Sequence, residues 1–332
     1  MNRCRAIITA FGLLIWLGTL PTFARDLDKD LSQRRSYWEK EAFHCVKGSS
    51  DYPSKEHVGE PTRCDDGDMT LFNGLLCASG DQRGCIAVKN SQGPDGRWWR
   101  SPGKIGQEAP TTDVSFSADQ SLGVFLYVAT TGDVSAFDAW INWIDLKRPC
   151  AIEVAGRCLL KGWPRFCTDD ADKRCTLRPT SCQLIQEVGK AIGSAKGVLC
   201  QRILREFGVE ANIFPPLSVE VVGSAAVNDA GFPTHLAAVN TLLLQKLGIY
   251  EHSTKIAAKV LTERERLNPF FKFLNKETRT DVIRSLLNVC PSPEHPALSR
   301  TQWSWERTDS EEAWRHSMLW DCIFVSNLIS AE

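Results

Sequence analysis

Residues 117–144 read SADQSLGVFLYVATTGDVSAFDAWINWI, and this stretch decides the fold class. Ser117 and Gln120 have the spacing of a helix capping box, and apolar residues then recur at helical spacing. Gly132 ends this helix, and Asp133 caps a second helix that again has an apolar stripe. Two helices joined by Thr-Gly-Asp predict an αα-hairpin.

The same order of capping residue, apolar helical pattern and stop returns along the rest of the chain. The only strand candidate is Leu217 to Val222, and the hairpins follow no strict period, which excludes a regular solenoid. The sequence therefore predicts a mainly α protein built from successive helical hairpins. The other predicted helices cover residues 34–43, 68–80, 81–88, 183–207, 234–247, 251–261, 278–289 and 310–329.

The first 24 residues have the features of a secretory signal peptide. Arg3 and Arg5 precede an apolar run over residues 6–20, and residues 22–24 (TFA) offer a cleavage site. The alternative is an uncleaved membrane anchor, although the apolar run is short for a bilayer, which a helix crosses with roughly 20 residues. No later stretch is apolar enough to span a membrane, so no integral membrane segment is expected after cleavage.

The cysteines indicate an oxidising compartment. Twelve of the thirteen lie beyond the leader, because Cys4 falls within it. An even number predicts up to six disulfides in a periplasmic or secreted protein. Five cysteines crowd into a loop at about residues 149–182, which we interpret as an insertion stapled by disulfides. The predicted organisation is completed by an irregular segment at residues 25–63 and one α-helical domain at residues 64–332.

Composition and motifs exclude several function classes. The 39 basic and 40 acidic side chains give a net charge of −1, so no global field attracts nucleic acid. The chain has no Cys-x-x-Cys and no His pair at helical i, i+4 spacing, and we expect no metal. No glycine-rich loop follows a strand, so we expect no cofactor, and no Gly-x-Ser-x-Gly elbow is present. The oligomeric state is left open.

Three stretches carry a family resemblance: CDDGDMTLFNG at 64–74, DGRWWRSP at 95–102 and SFSADQSLG at 115–123. They resemble hairpin loops of secreted (α/α)-toroid carbohydrate-active enzymes, which include glycoside hydrolases and polysaccharide lyases. In that class, inner and outer helices alternate around a ring, and acidic and aromatic residues at one end bind a sugar chain. The resemblance, best over residues 64–145, implies a toroid-like single domain and a polysaccharide or oligosaccharide partner. It assigns no role to any residue.

The candidate catalytic residues are Asp66, Asp68 and Asp119. Glycoside hydrolysis needs two carboxyl groups: one protonates the leaving oxygen, and the other activates water or attacks the anomeric carbon. We predict Asp68 and Asp119 as this pair, which requires them to lie within roughly 5 to 10 Å of each other in one cleft. The alternative is that these aspartates only cap helices and complement the helix dipole.

Candidate substrate-binding residues come from three further places in the chain. Tryptophan rings in a Gly/Pro-rich loop can stack on sugars or can pack beneath the loop as core. The arginine of that loop can bind an acidic sugar or pair with a nearby aspartate. A neutral histidine that abstracts a proton would suit a lyase, and the alternative for a lone histidine is a structural role. These candidates are Trp98, Trp99, Arg100, His235, Trp305 and Glu306, the last being a third possible acid.

Two functions of different classes follow from these residues. The first is a glycan-cleaving enzyme, and we favour a hydrolase over a lyase because carboxylates in prominent loops outnumber histidines and tyrosines. The second is a non-catalytic periplasmic or secreted protein that binds a glycan or inhibits a partner enzyme.

Overall fold

The computed structural model describes residues 20–48, 50–107, 116–168, 175–210, 214–306 and 313–331, with the backbone alone for residues 20–25. Most of the predicted signal peptide at 1–24 lies outside the described residues. Within them, thirteen α-helices and three two-stranded antiparallel sheets confirm the mainly α class. The helices are α1 (Leu20–Glu41), α2 (Met69–Ala78), α3 (Gln82–Lys89), α4 (Ala118–Thr131), α5 (Val134–Leu146), α6 (Pro179–Ile192), α7 (Leu199–Glu206), α8 (Leu217–Val227), α9 (Phe232–Lys246), α10 (Glu251–Arg264), α11 (Pro269–Leu274), α12 (Arg279–Val289) and α13 (Trp320–Ser330). The strands are β1 (His44–Lys47), β2 (Ser50–Pro53), β3 (Lys55–His57), β4 (Glu60–Asp65), β5 (Cys150–Val154) and β6 (Arg157–Lys161), paired in that order as three hairpins.

The predicted αα-hairpin is present as α4 and α5. Gly132 ends α4 in the left-handed conformation, and the Asp133 carboxylate accepts a hydrogen bond from a backbone N–H in the first turn of α5. The prediction of a capping box is wrong, because the Ser117 side chain makes no hydrogen bond to α4. The Gln120 side chain donates instead to Asp68, which joins α4 to the start of α2.

The strand predicted at Leu217 to Val222 is instead the first half of α8. Its β-branched residues suit a strand, but Leu217, Val221 and Ala225 recur every fourth residue and are buried. α8 packs against α9 and α10. Burial of one helical face in the tertiary structure therefore outweighs the local β-propensity.

Two other predicted helices have different bounds. The helix predicted at residues 183–207 is divided into α6 and α7, because Gly193 ends α6 with a left-handed φ of 76°. The last helix starts at Trp320 rather than at Ser310. Part of the intervening stretch lies outside the described residues, and Ala313–His316 form a 3₁₀ helix.

The segment predicted as irregular, residues 25–63, contains most of α1 and nearly all of two β-hairpins. The disulfide Cys45–Cys64 joins β1 to β4 and so ties the two hairpins together. Arg34 on α1 donates a hydrogen bond to the carbonyl of Pro291, just beyond the end of α12. The N-terminal segment is thus attached to the C-terminal part of the chain.

Six disulfides use all twelve cysteines beyond the leader, which confirms the number expected from the even count. Cys150–Cys158 closes the β5–β6 hairpin, and Cys290–Cys322 joins the end of α12 to α13. The other four pairs are Cys45–Cys64, Cys77–Cys85, Cys167–Cys175 and Cys182–Cys200.

Helices α2 and α4 approach each other closely because Gly74 and Gly123 lie at their contact. A Cβ atom on Gly123 would lie 2.0 Å from the carbonyl oxygen of Thr70, and one on Gly74 would lie 2.3 Å from Cα of Gly123. The hydrogen bond from Gln120 to Asp68 shows that the two helices begin at the same end of the fold. The last turns of α2, α9 and α13 meet at the opposite end, where they line one cavity.

Candidate functional site

Asp68 lies at the N-cap position of α2 but faces a neighbouring helix and loop. Its backbone is left-handed, with φ 60°, a conformation that aspartate tolerates better than most residues. The carboxylate makes no capping hydrogen bond to α2; it accepts one from Arg100 Nη1 at 2.9 Å and one from Gln120 Nε2 at 2.5 Å. Because 28% of the side chain is exposed, a ligand can reach it.

A buried ion pair adjoins Asp68. Lys55 Nζ lies 2.8 Å from Glu306 Oε1 and 4.0 Å from Asp65 Oδ2, and both side chains of the closer pair are almost fully covered. We call Lys55, Asp65, Asp68, Arg100 and Glu306 the charged cluster. Its three carboxylates face two cations, so the cluster carries one excess negative charge when every group is ionised.

The environment of the charged cluster shifts the pKa values of two of its members, Glu306 and Lys55. Burial raises the pKa of Glu306, and the Asp68 charge raises it further, while Lys55 opposes the shift. Burial lowers the pKa of Lys55, but Glu306, Asp65 and Asp68 together outweigh it, so the pKa of Lys55 is raised. The lysine therefore stays protonated. Burial favours the protonated form of Glu306, while the Lys55 ammonium and the backbone N–H of Trp303, which donate to its two oxygens, favour the ionised form.

Aromatic rings pack behind the charged cluster. The Trp305 ring stacks on His235 with centroids 3.6 Å apart, and the Trp303 ring stacks on Phe72 at 4.5 Å. His235 is completely buried, which lowers its pKa well below the usual value, so the ring is neutral. Neither of its ring nitrogens has a hydrogen-bond partner among the described residues. The structure places His235 and Trp305 in the core next to Glu306, not on an open surface.

The paired tryptophans of the Gly/Pro-rich loop also face inward. Trp98 is fully buried, and its Nε1 donates to the carbonyl of Val88 at 2.8 Å. Trp99 is nearly buried under the Arg97 guanidinium, which lies 3.8 Å from the ring centroid. The backbone carbonyl of Trp99 accepts a hydrogen bond from the hydroxyl of Thr70 in α2. The loop therefore packs as core, the second interpretation considered for it, and holds the adjoining arginine of the charged cluster against α2.

Asp66 is buried and occupied by protein groups. Its carboxylate accepts hydrogen bonds from the Tyr52 hydroxyl at 2.7 Å and the Ser101 hydroxyl at 2.8 Å. Lys47 Nζ provides a third contact at 2.5 Å. These bonds join the β1–β2 hairpin to the Trp-containing loop, so Asp66 connects loops while Asp68, two residues later, faces the cluster.

Asp119 lines a separate cavity of about 290 Å³, which we call the Asp119 cleft. Neighbouring residues on a helix point about 100° apart, so Gln120 contacts Asp68 while Asp119 faces this cleft. The described lining includes Glu220 but does not include Asp68. Four helices, α4, α6, α8 and α9, contribute to the walls, and the polar lining residues are Asp119, Ser121, Arg178, Thr180, Ser181, Glu220, Ser224, Asn228 and Asn240.

A larger cavity of about 460 Å³ lies at the opposite end of the core helices. Its walls include Leu242, Phe273 and Leu328, and none of the predicted site residues lines it. Lys246 at its rim donates to the carbonyl of Ala78 at 2.9 Å. This lysine therefore caps the end of α2, as basic residues at helix C-termini commonly do.

Sequence reasoning missed three groups of the site. Lys55 lies in the segment predicted as irregular, and nothing in its local pattern indicates a buried ion pair. The sequence pattern assigns Gln120 only to a capping box, whereas its side chain donates to Asp68. Glu220 falls in the predicted strand, and the recurrence of Leu217 and Val221 at helical spacing is the signal that would have placed it on a helix.

The described part of the chain contains no group of three or more His, Cys, Asp or Glu side chains arranged to hold a metal ion. No helix among the described residues has both the length and the apolar character needed to cross a membrane.

Comparisons with known proteins found no family model, no curated protein and no solved structure that matches this chain.

Proposed function

We propose that the protein is a periplasmic or secreted carbohydrate-active enzyme that hydrolyses glycosidic bonds with two carboxyl groups. The observation that carries the proposal is the charged cluster, where Asp68 is accessible and burial raises the pKa of Glu306. Glycoside hydrolysis uses one carboxyl group that holds a proton and another that is ionised. Two carboxyl groups in such different surroundings meet this requirement.

In this proposal Glu306 is the general acid and Asp68 is the base or nucleophile. Glu306 gives its proton to the oxygen of the leaving sugar as the glycosidic bond breaks. Asp68 either takes a proton from the attacking water or bonds to the anomeric carbon until water replaces it. Arg100 and Gln120 hold the Asp68 carboxylate in place through their hydrogen bonds.

The toroid-like arrangement and the location belong to the same proposal. Helices α2 and α4 begin side by side, which supports a site at one end of a ring of inner helices. Six disulfides support an oxidising compartment outside the cytoplasm.

Two alternatives rest on specific observations. Asp119 is the other candidate for the second carboxylate, because it lines a cleft beside the charged cluster. A non-catalytic glycan-binding or inhibitor protein is the second function. It is favoured by the fact that Lys55 and Arg100 are both already paired with carboxylates, so the cluster can serve to fix loops.

The test is the release of new reducing ends from a panel of bacterial and plant polysaccharides by the oxidised protein. Asp68→Asn, Glu306→Gln and Asp119→Asn each remove one charge with little change in shape. Glu263→Gln, on the exposed face of α10, is the matched control. Circular dichroism shows whether each variant folds.

We expect product from the wild type and the control, and a loss of at least about 100-fold in Asp68→Asn and Glu306→Gln, because general acid–base groups contribute this much. Loss of activity in Asp119→Asn, with full activity in Glu306→Gln, would assign the role of general acid to Asp119 instead of Glu306. Full activity in a folded Asp68→Asn would overturn the assignment of Asp68. Binding of a glycan without cleavage would favour the non-catalytic function.

A further inference from the structure

The cavity at the ends of α2, α9 and α13 has apolar inner walls, and we call it the distal cavity. Leu242 and Leu328 form its almost fully buried part. Ile249 and Phe273 also line it, and both stay partly exposed although they pack against the core. The volume of about 460 Å³ lies within the range of small-molecule sites, about 300 to 1000 Å³. An apolar chain bound there would cover surface that the protein itself leaves open to water.

The neutral polar side chains of the distal cavity already donate hydrogen bonds within the protein. The hydroxyls of Ser79 and Thr254 and the amide nitrogen of Gln245 each donate to a backbone carbonyl, at 2.7, 3.1 and 3.1 Å. These groups need no ligand as an acceptor. Recognition of the polar end of a ligand therefore depends on the charged residues of the lining.

The charged residues of the distal cavity are mainly lysines. Lys246, Lys255 and Lys276 line it together with one carboxylate, Glu251. Glu251 pairs with Lys255 at 2.7 Å, with most of both side chains exposed, and acts on Lys276 only at longer range. Three cations against one anion leave the described lining with two excess positive charges. The rim of the cavity therefore favours an anion.

Lys246 has no carboxylate partner among the described residues. Its Nζ donates to the carbonyl of Ala78 at 2.9 Å, which uses one of the three N–H groups of the ammonium. Burial lowers the pKa of Lys246, and no acidic group opposes this shift. A carboxylate bound at the rim of the distal cavity would supply the missing counter-ion and accept a hydrogen bond from a remaining N–H.

We propose that the distal cavity binds a small amphipathic anion, an aliphatic chain that ends in a carboxylate. The chain lies against the apolar inner walls, and the carboxylate accepts a hydrogen bond from Lys246 at the rim. Lys276 adds longer-range attraction. The volume suits one short chain of a free molecule. This inference goes beyond the proposed function and does not depend on it, because no residue of the charged cluster lines the distal cavity.

The test is calorimetric binding of decanoate to the oxidised wild-type protein at neutral pH. Decanol keeps the chain without the charge, decylammonium reverses the charge, and hexanoate keeps the carboxylate on a shorter chain. Each is used below the concentration at which it aggregates. We expect decanoate to bind at least about fivefold more tightly than decanol and decylammonium, because the ion pair is added. It should bind at least about tenfold more tightly than hexanoate, because four more methylene groups leave water.

Variants locate the binding. Lys246→Met should weaken decanoate binding about fivefold and leave decanol binding unchanged, because methionine keeps an apolar stem and removes the charge. Lys276→Met should weaken decanoate binding about twofold, as a more distant charge does. The matched control is Lys147→Met, at an exposed lysine after α5, which does not line the cavity, and it should change neither affinity. Circular dichroism shows whether each variant folds.

Several results would overturn the inference. These are no binding of decanoate at about 1 mM, binding of decanol or decylammonium as tight as that of decanoate, and full affinity for decanoate in folded Lys246→Met and Lys276→Met. Sedimentation with vesicles of phosphatidylcholine and phosphatidylglycerol tests a membrane surface as the alternative occupant. Binding to these vesicles without binding of decanoate would also overturn the inference. Cleavage of a glycan is measured separately, so hydrolysis and decanoate binding can each fail without the other.

Discussion

Lys55 Nζ lies 2.8 Å from Glu306 Oε1, and only 6% of the lysine side chain and 13% of the glutamate side chain are exposed. The two residues are 251 positions apart, so this pair joins the N-terminal hairpins to the C-terminal part of the chain. Removing two ions from water is unfavourable, and their attraction offsets that cost only while both partners are present. The pair therefore has consequences for stability that are independent of any catalytic role.

We expect Lys55→Met to lower the free energy of unfolding by about 3 to 5 kcal/mol at neutral pH, because it leaves Glu306 buried without a counter-ion. Burial raises the pKa of Glu306 above its usual value of 4.5. In acid the side chain is therefore protonated and uncharged in the folded variant, and the absence of Lys55 costs little stability there. The deficit of Lys55→Met should therefore grow as the pH rises above 4.5. Urea unfolding across this range measures it. The double variant Lys55→Met, Glu306→Met should recover most of the loss, and failure to recover would assign the effect to packing.

Asp321 should make the folded protein less stable as the pH rises from about 4 to about 6. Burial raises its pKa from 3.8 to about 6, although backbone N–H groups of Ser304 and Cys322 donate to it. Between these values the folded state binds more protons than the unfolded state, so stability is lost with increasing pH. The full effect is about 3 kcal/mol.

Urea unfolding of Asp321→Asn measures the contribution of Asp321 to the pH dependence of stability. The variant should show a flatter dependence on pH between about 4 and 6, because asparagine does not titrate there. Asp28→Asn, an exposed aspartate on α1, is the control and should keep the wild-type slope. If the free energy of unfolding of Asp321→Asn falls with pH as steeply as that of the wild type, the pH dependence does not arise from Asp321.

Gly123→Ala should force α2 and α4 apart. The added Cβ would meet the Thr70 carbonyl oxygen at 2.0 Å and Cα of Leu71 at 2.6 Å, and backbone atoms cannot move aside cheaply. We expect a loss of about 1 to 3 kcal/mol or more in the free energy of unfolding. Gly223→Ala in α8 is a matched control, because no atom lies within 4 Å of its new Cβ and alanine favours helices. It should gain about 0.5 to 1 kcal/mol. Thermal unfolding compares the stabilities of the two variants. Equal changes in stability would show that the close contact between α2 and α4 does not make Gly123 necessary.

The disulfides should contribute unequally. Cys290–Cys322 closes a separation of 32 residues, whereas Cys150–Cys158 closes 8 residues in an exposed hairpin. Loop-closure entropy gives about 3.7 kcal/mol for the first and about 2.5 kcal/mol for the second. Replacing each pair by alanines and measuring urea unfolding tests the order. A greater loss from the hairpin pair would show that it has a role beyond loop closure.

Sequence predicted the features that depend on neighbouring residues. The α4–α5 hairpin follows from Gly132 and Asp133. The number of disulfides follows from the even count of cysteines. Prediction failed where distant contacts compete with local preference. α8 is helical because one of its faces packs on α9 and α10, even though its valines favour a strand. Ser117 and Gln120 do not form a capping box because Asp68 offers Gln120 a different partner.

For the site, sequence alone identified Asp68, Arg100 and Glu306 as candidates and could not place them relative to one another. The pairing of Glu306 with Lys55 and of Asp68 with Arg100, and the position of Asp119 in another cleft, were decided by the tertiary structure. The physical reason is the distance along the chain over which each kind of interaction acts. Caps, stops and periodicity act over a few neighbouring residues and can be read from sequence. The charged cluster instead joins side chains up to 251 positions apart, and only the packing of whole helices and hairpins brings these together.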